Sequence, residues 1–117
     1  MITGVIILIA LHALSGIFWA GSTFTLARSG GAGSDALFRP QMGAAVVAVL
    51  TGVGMWHLLH AGNFGLGEKV LAAGTLAAIA AAGVQGALHR KQPAVAQRIA
   101  GGLLALTVVC MVVARYV

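Results

Sequence analysis

Long apolar stretches alternate with short polar connections along this chain, and the alternation repeats four times. The first stretch runs from about Ile2 to Ala27 and stops at Arg28, and the second spans about Met42 to Leu59. The third covers about Leu66 to Leu88 and the fourth about Ala94 to Val113. Each is close to the roughly 20 residues that a helix needs to cross a hydrocarbon core, so the pattern predicts four membrane-spanning helices. Between them, the Gly/Ser-rich segment Ser29 to Ser34 reads as a loop, with Arg39-Pro40 as its end and the start of the second helix. Ala61-Gly62-Asn63-Phe64-Gly65 reads as a tight turn, and Pro93 suits the first turn of the fourth helix. Short connections make consecutive helices antiparallel neighbours. The expected fold is therefore all-α: an integral membrane four-helix bundle, up-down-up-down, with residues 1–117 forming one four-span domain.

Composition agrees with this reading. Of 117 residues, 60% are hydrophobic and 8% charged, against a charged share of roughly 25% in soluble domains, and the mean hydropathy is +1.01. The length leaves no room for a separate soluble domain. The net charge of +5 sets seven Lys/Arg against Asp35 and Glu68, but the bases sit between apolar runs, where they orient a membrane protein rather than bind nucleic acid. Arg28 and Arg39 flank the first loop and Arg90, Lys91 and Arg98 surround the third, while the second holds no base beyond Lys69. By the positive-inside rule the first and third loops are cytoplasmic and both termini face outward. The start Met1-Ile2-Thr3-Gly4 lacks the basic n-region of a cleaved signal peptide. A single Cys110 excludes an internal disulfide. The chain has no Ser/His/Asp arrangement, phosphate loop or CxxC, so hydrolases and nucleotide enzymes have no support.

The first run carries unusual chemistry for a span. His12, Ser15, Gly16, Trp19 and Thr23 fall close to one face of a helix turning 100° per residue, while Leu11, Leu14 and Phe18 point elsewhere. A polar stripe at this depth faces protein, because an unsatisfied polar group in hydrocarbon costs several kcal/mol. His12 lies in the outer half of its helix, His57 and His60 near the outer end of the second, and Glu68 and Lys69 at the outer end of the third. His89 stands apart at the cytoplasmic side, in the basic run His89-Arg90-Lys91.

Neutral imidazole ligates Fe, Cu and Zn, and its second nitrogen needs a partner to fix its orientation. Ser15, one turn from His12, is one candidate for that partner. A b-type haem takes two axial groups from different helices at matching depth, and His12 with His57 or His60 meets that condition. Trp19 or Trp56 would lie against the ring edge, and Lys69 is either a snorkelling anchor or a partner for Glu68 or an acidic cofactor group. Copper is the alternative, since Met55, His57, His60 and His12 offer soft and imidazole donors, although Met55 points about 160° from His57 on a regular helix. A third reading makes the histidines packing or interfacial residues beside Trp56, in a small structural subunit of a larger membrane complex or a homo-oligomer. The Ala/Gly surface of the third run (Ala72, Ala73, Ala77, Ala80, Gly83, Ala87) favours close helix approach. Cys110 and Met111 read as core or lipid-facing.

His12-x6-Trp19-x-Gly21 on a first helix resembles the membrane domain of bacterial copper-resistance D proteins and the small HemJ-type membrane protoporphyrinogen oxidase. Leu50-Thr51-Gly52, Gly67-Glu68-Lys69 and Ala87-Leu88-His89-Arg90-Lys91 look like the corresponding stretches of the copper-resistance group. The resemblance touches the first three helices. It implies a four-helix membrane unit, and together with the loop charges it places the chain in the bacterial inner membrane with both termini periplasmic. On the HemJ side it implies haem b, with His12 and Lys69 as the functional pair and oxidoreductase chemistry. The third run lacks the Tyr-His ending of the oxidase, whereas His57 and His60 suit a bis-histidine haem protein.

The expectation from sequence is thus a haem b protein in electron transfer or haem-linked oxidation. Its cofactor-binding residues are His12, His57, His60, Lys69 and Trp19, and its iron ligands are His12 and His57. The loop charges make the first prediction. A reporter fused after Val117 registers as periplasmic, and replacing Arg90, Lys91 and Arg98 by Gln lowers the fraction inserted in that orientation; a cytoplasmic signal from the wild-type fusion refutes the topology.

Overall fold

A computed structural model describes residues 2–60, 62 and 64–117 of the chain. It contains four helices: α1 (Ile2–Arg28), α2 (Ser34–His60), α3 (Leu66–Leu88) and α4 (Pro93–Ala114). At 1.5 Å per residue the 27 residues of α1 and of α2 make rods of about 40 Å, which matches the 42 Å long axis of the molecule. All four helices are long and apolar enough to cross a membrane. Met1 lies outside the described residues, as do Ala61 and Asn63 of the expected second turn.

The second helix starts earlier than the sequence pattern suggests, at Ser34 rather than Met42, and carries Pro40 inside it. Local chemistry accounts for the early start. Gly31 and Gly33 adopt φ of +88°, a region open to glycine and costly for other residues, and turn the chain sharply after α1. The Ser34 hydroxyl then donates to the Gly31 carbonyl at 2.6 Å, the first backbone bond of the new helix runs from Leu37 N to Gly33 O, and Asp35 complements the helix N-terminus. Having no N–H, Pro40 deprives the Ala36 carbonyl of its intrahelical donor, a loss confined to the second turn. At the other connections the expectations hold: Pro93 opens α4, and α3 begins just after Gly65.

The helices form a ring. α1 packs along α2 and also against α4, α3 packs along α4, and α2 touches α3 most lightly. This leaves α1 diagonally opposite α3, and α2 opposite α4. Glycine permits the tight α3–α4 seam: a Cβ on Gly74 would lie 2.9 Å from Cys110 Cβ, and one on Gly67 3.0 Å from the Ala114 carbonyl oxygen. The Thr107 hydroxyl crosses the same seam to donate to Gly74 O at 2.9 Å. Gly31 is pressed against the start of α4 in the same way, since its Cβ would meet Ala94 N at 2.9 Å and the Pro93 carbonyl carbon at 3.0 Å. Leu14, Ile17, Leu50, Leu76 and Val109 point outward, as suits side chains that face lipid.

Inside, the apolar core of Trp19, Ala45, Ala48, Ala78, Ala81, Ala100 and Leu104 gives way toward the first and third loops to a layer of amides. Gln41, Gln85, Gln97 and Thr23 are each 0% exposed and come one from each helix. Gln41 Nε2 donates to Thr23 Oγ1 (3.1 Å), Ser22 Oγ (3.3 Å) and Gln97 Oε1 (3.3 Å). Gln85 Nε2 donates to Thr23 Oγ1 at 2.9 Å and Gln97 Oε1 at 3.2 Å. Gln97 Nε2 returns a bond to Gln41 Oε1 at 3.4 Å. From the apolar side, Trp19 Nε1 donates to Gln85 Oε1 at 2.8 Å. In a medium without water this mutual satisfaction is what makes three buried amides tolerable.

Replacing Gln85 by Leu unpairs the Trp19 indole and takes a donor from Thr23, and lowers stability by about 1–3 kcal/mol. Exposed Gln92 is the control, with an expected change within about 0.5 kcal/mol on the same substitution. Thermal unfolding of both variants in detergent checks the difference.

Candidate functional site

The polar stripe of α1 does face inward. Trp19 and Thr23 are buried and His12 is half-buried, while Leu11, Leu14 and Phe18 are exposed. His12 reaches across to α2, where its Nδ1 lies 2.8 Å from the Ala48 carbonyl oxygen and 3.1 Å from Thr51 Oγ1. A carbonyl oxygen only accepts, so Nδ1 carries a proton, and in the neutral ring Nε2 keeps its lone pair. Thr51 in turn donates to Val47 O at 2.6 Å, which holds the acceptor in place. The orienting partner is therefore the α2 backbone. Ser15, a candidate for that role, spends its hydroxyl on the α1 carbonyls of Leu11 (2.7 Å) and His12 (3.2 Å), the usual local alternative for a serine inside a helix.

Two cavities meet at His12. The larger, of about 330 Å³, is bounded by His12, Gly16, Trp19, Gly52, Ala78 and Leu104 among others. Ile17, Val53, Val108 and Val112 line it and are themselves exposed on the outer surface of the bundle, so it opens sideways between helices. The smaller, of about 140 Å³, lies toward the α2–α3 turn and is lined by His12, Met55, Trp56, His60, Thr75 and Met111, with Gly52, Leu59 and Leu71. Gly52 belongs to both because the imidazole rests on it: a Cβ there would lie 3.0 Å from His12 Cε1.

The sequence-derived candidates separate in this geometry. His60 shares the smaller cavity with His12, and its Nδ1 lies 2.6 Å from Glu68 Oε2. His57 is exposed and lines neither cavity, so it is not brought to His12. Lys69 is likewise exposed and lines neither, and Glu68 pairs with His60 in its place. Trp19 forms part of the wall of the larger cavity while its N–H is committed to Gln85. Met55 lines the smaller cavity with His60, which His57 does not, and on a regular helix Met55 and His60 stand about 140° apart, at the two edges of the α2 face turned to it. Met111 joins them from α4. His89, expected as a solvated basic flank, is half-buried and stacks on Phe38 with ring centroids 3.6 Å apart and planes 10° from parallel. Its Nδ1 is buried without a hydrogen-bond partner among the described residues.

Among the described residues no three His, Cys, Asp or Glu side chains gather at one point. The metal-ligating side chains that line the smaller cavity are two imidazoles and two thioethers, a soft set. Sequence reasoning missed Met111 and Thr51 as parts of this site, and it missed the amide layer beneath. The amides had a readable signal, since Gln41, Gln85 and Gln97 each stand within or beside an otherwise apolar run, where a polar side chain demands a partner. Thr51 and Met111 had none, because each is an ordinary residue in a membrane helix.

Comparison of the chain with protein-family models, curated proteins and solved structures found no match.

Because a Cβ on Gly52 would lie 3.0 Å from His12 Cε1, a Gly52→Ala substitution makes the imidazole or the α1–α2 seam give by a few tenths of an ångström and strains the Ala48 contact. The expected cost is about 1–3 kcal/mol, read by thermal unfolding in detergent. Gly43→Ala on the same helix, where a Cβ meets nothing within 4 Å, leaves stability unchanged or raised.

Proposed function

We propose that this protein handles copper(I) within the outer half of a membrane bundle, with His12, His60, Met55 and Met111 as the ligand set. One observation carries the reading: two imidazoles, each with Nδ1 tied to an acceptor, line a single small cavity together with two methionines. Imidazole nitrogen and thioether sulfur suit Cu(I), whereas carboxylate and carbonyl oxygens suit Mg, Ca and Mn. A fixed Nδ1–H partner is also what orients an imidazole for ligation. His60, at the outer end of α2 and partly exposed, is the entry side of the site. With the basic loops on the cytoplasmic face, as the positive-inside rule directs, that entry opens to the periplasm of a bacterial inner membrane. The resemblance to copper-resistance D proteins supports the same reading.

A second reading, haem b, is favoured by the larger cavity, which is apolar, opens laterally and has His12 in its wall. His12 fits as an axial ligand through its free Nε2, and small residues such as Gly16, Ala48 and Ala78 leave flat space for a ring. No second imidazole lines this cavity, so His12 would hold the haem alone. The group would supply one-electron chemistry for electron transfer or haem-linked oxidation, with Trp19 closing the inner wall.

Titrating the purified protein with Cu(I) against a chromophoric chelator, and recording its absorption spectrum, separates these readings. The copper reading expects one equivalent bound, lost in His12→Ala by more than the roughly 10–100-fold that removal of an outer-shell partner costs, and retained in His57→Ala. A Soret band of five-coordinate character that vanishes in His12→Ala establishes haem instead. Binding of neither refutes both and leaves a structural subunit.

A further inference from the structure

We infer that Glu68 is the positioning residue that makes His60 a ligand in the smaller cavity, an inference that rests on the copper(I) reading above. The carboxylate is divided between two tasks. Oε1 accepts the Gly65 backbone N–H at 2.9 Å and so caps α3, while Oε2 takes the Nδ1 of His60 at 2.6 Å. A carboxylate, like a carbonyl, has only acceptors to offer. The proton of the neutral His60 ring is thereby fixed on Nδ1 and the lone pair on Nε2, the same tautomer that the Ala48 carbonyl imposes on His12. Two rings on different helices reach one cavity, each stripped of the alternative in which Nε2 is protonated and useless to a metal.

Charge points the same way. The chain has two acidic residues; Asp35 opens α2 at the opposite end of the bundle, which leaves Glu68 as the acid beside the cavity. Its side chain is 15% exposed, and it sits in the first turn of α3, where the helix dipole favours a negative charge. Neutral imidazoles and thioethers carry no charge, and Lys69 is exposed and outside the cavity lining.

Glu68→Gln is the informative change. The Gly65 N–H still finds an amide oxygen, so the α3 cap survives and fixes which end of the amide faces His60. That end is an NH₂ donor, which drives the imidazole proton from Nδ1 to Nε2. Imidazole ¹⁵N NMR on metal-free protein reads the tautomer, and titration with Ag(I), a redox-inert stand-in for Cu(I), reads the affinity. The wild type is expected to show Nδ1–H at His60 and to bind Ag(I). Glu68→Gln is expected to show Nε2–H and about 10–100-fold weaker binding, with helix content unchanged. In a His60→Ala background, Glu68→Gln is expected to add no further loss. An Nε2–H tautomer in the wild type overturns the inference without recourse to any variant, and so does a Glu68→Gln protein with unaltered tautomer and Ag(I) affinity. A wild type that binds no Ag(I) yet shows the expected tautomer switch refutes the copper(I) reading while upholding the positioning of His60.

Discussion

The hydrogen bond from the Trp19 indole of α1 to the Gln85 amide oxygen of α3 crosses the diagonal of the bundle and ties its amide layer to the space around His12. Below it lies the closed set of Gln41, Gln85, Gln97 and Thr23, in which the amides satisfy one another because the bilayer offers no water to do so. Above it lies the space around His12. The indole needs Gln85 as an acceptor, and Gln85 in turn is held by Thr23 and Gln97, so the wall of the larger cavity is set by the same network that fixes how the helices meet. Interhelical hydrogen bonds in membranes average only about 0.6 kcal/mol each. Their value here is register, since one polar side chain from each helix aligns four apolar rods that would otherwise slide.

Around the smaller cavity the governing constraint is the direction of protons. His12 and His60 are reached by partners of quite different chemistry, a main-chain carbonyl and a carboxylate, yet both partners accept and neither donates. In a neutral ring this places the proton on Nδ1 and leaves the Nε2 lone pair at both positions. The haem and copper readings both draw on His12 for this reason and differ in whether its Nε2 serves the larger or the smaller space.

Much of the fold was legible from hydropathy alone, because a bilayer imposes span length and internal hydrogen bonding so strictly that periodicity hardly matters. The error at α2 shows the limit. Pro40 looks like a helix start, but the glycine turn at Gly31 and Gly33 and the Ser34 bond to Gly31 begin the helix earlier, and a proline in a second turn costs too little to prevent it. For the site, His12 and His60 were identifiable as ionisable residues at depth, while their pairing was not. Helix rotation decides that His60 rather than His57 turns inward, and rotation is set by packing that a span of uniform apolarity does not encode. Ser15 failed as a partner for a similar reason: its nearest acceptors lie on its own helix.

The contact of Gly31 with Pro93 and Ala94 bears on how the chain is assembled. The loop of the first hairpin, shaped by its own glycines and hydrogen bonds, is fitted backbone to backbone against the start of the last helix, so its packing is completed only when the second hairpin docks beside it. With α2 and α3 only lightly in contact, the natural units of biogenesis are the two hairpins α1–α2 and α3–α4, and their docking is the late step. Surveillance of a half-made protein by a membrane protease would therefore find the first loop unshielded until the last helix arrives.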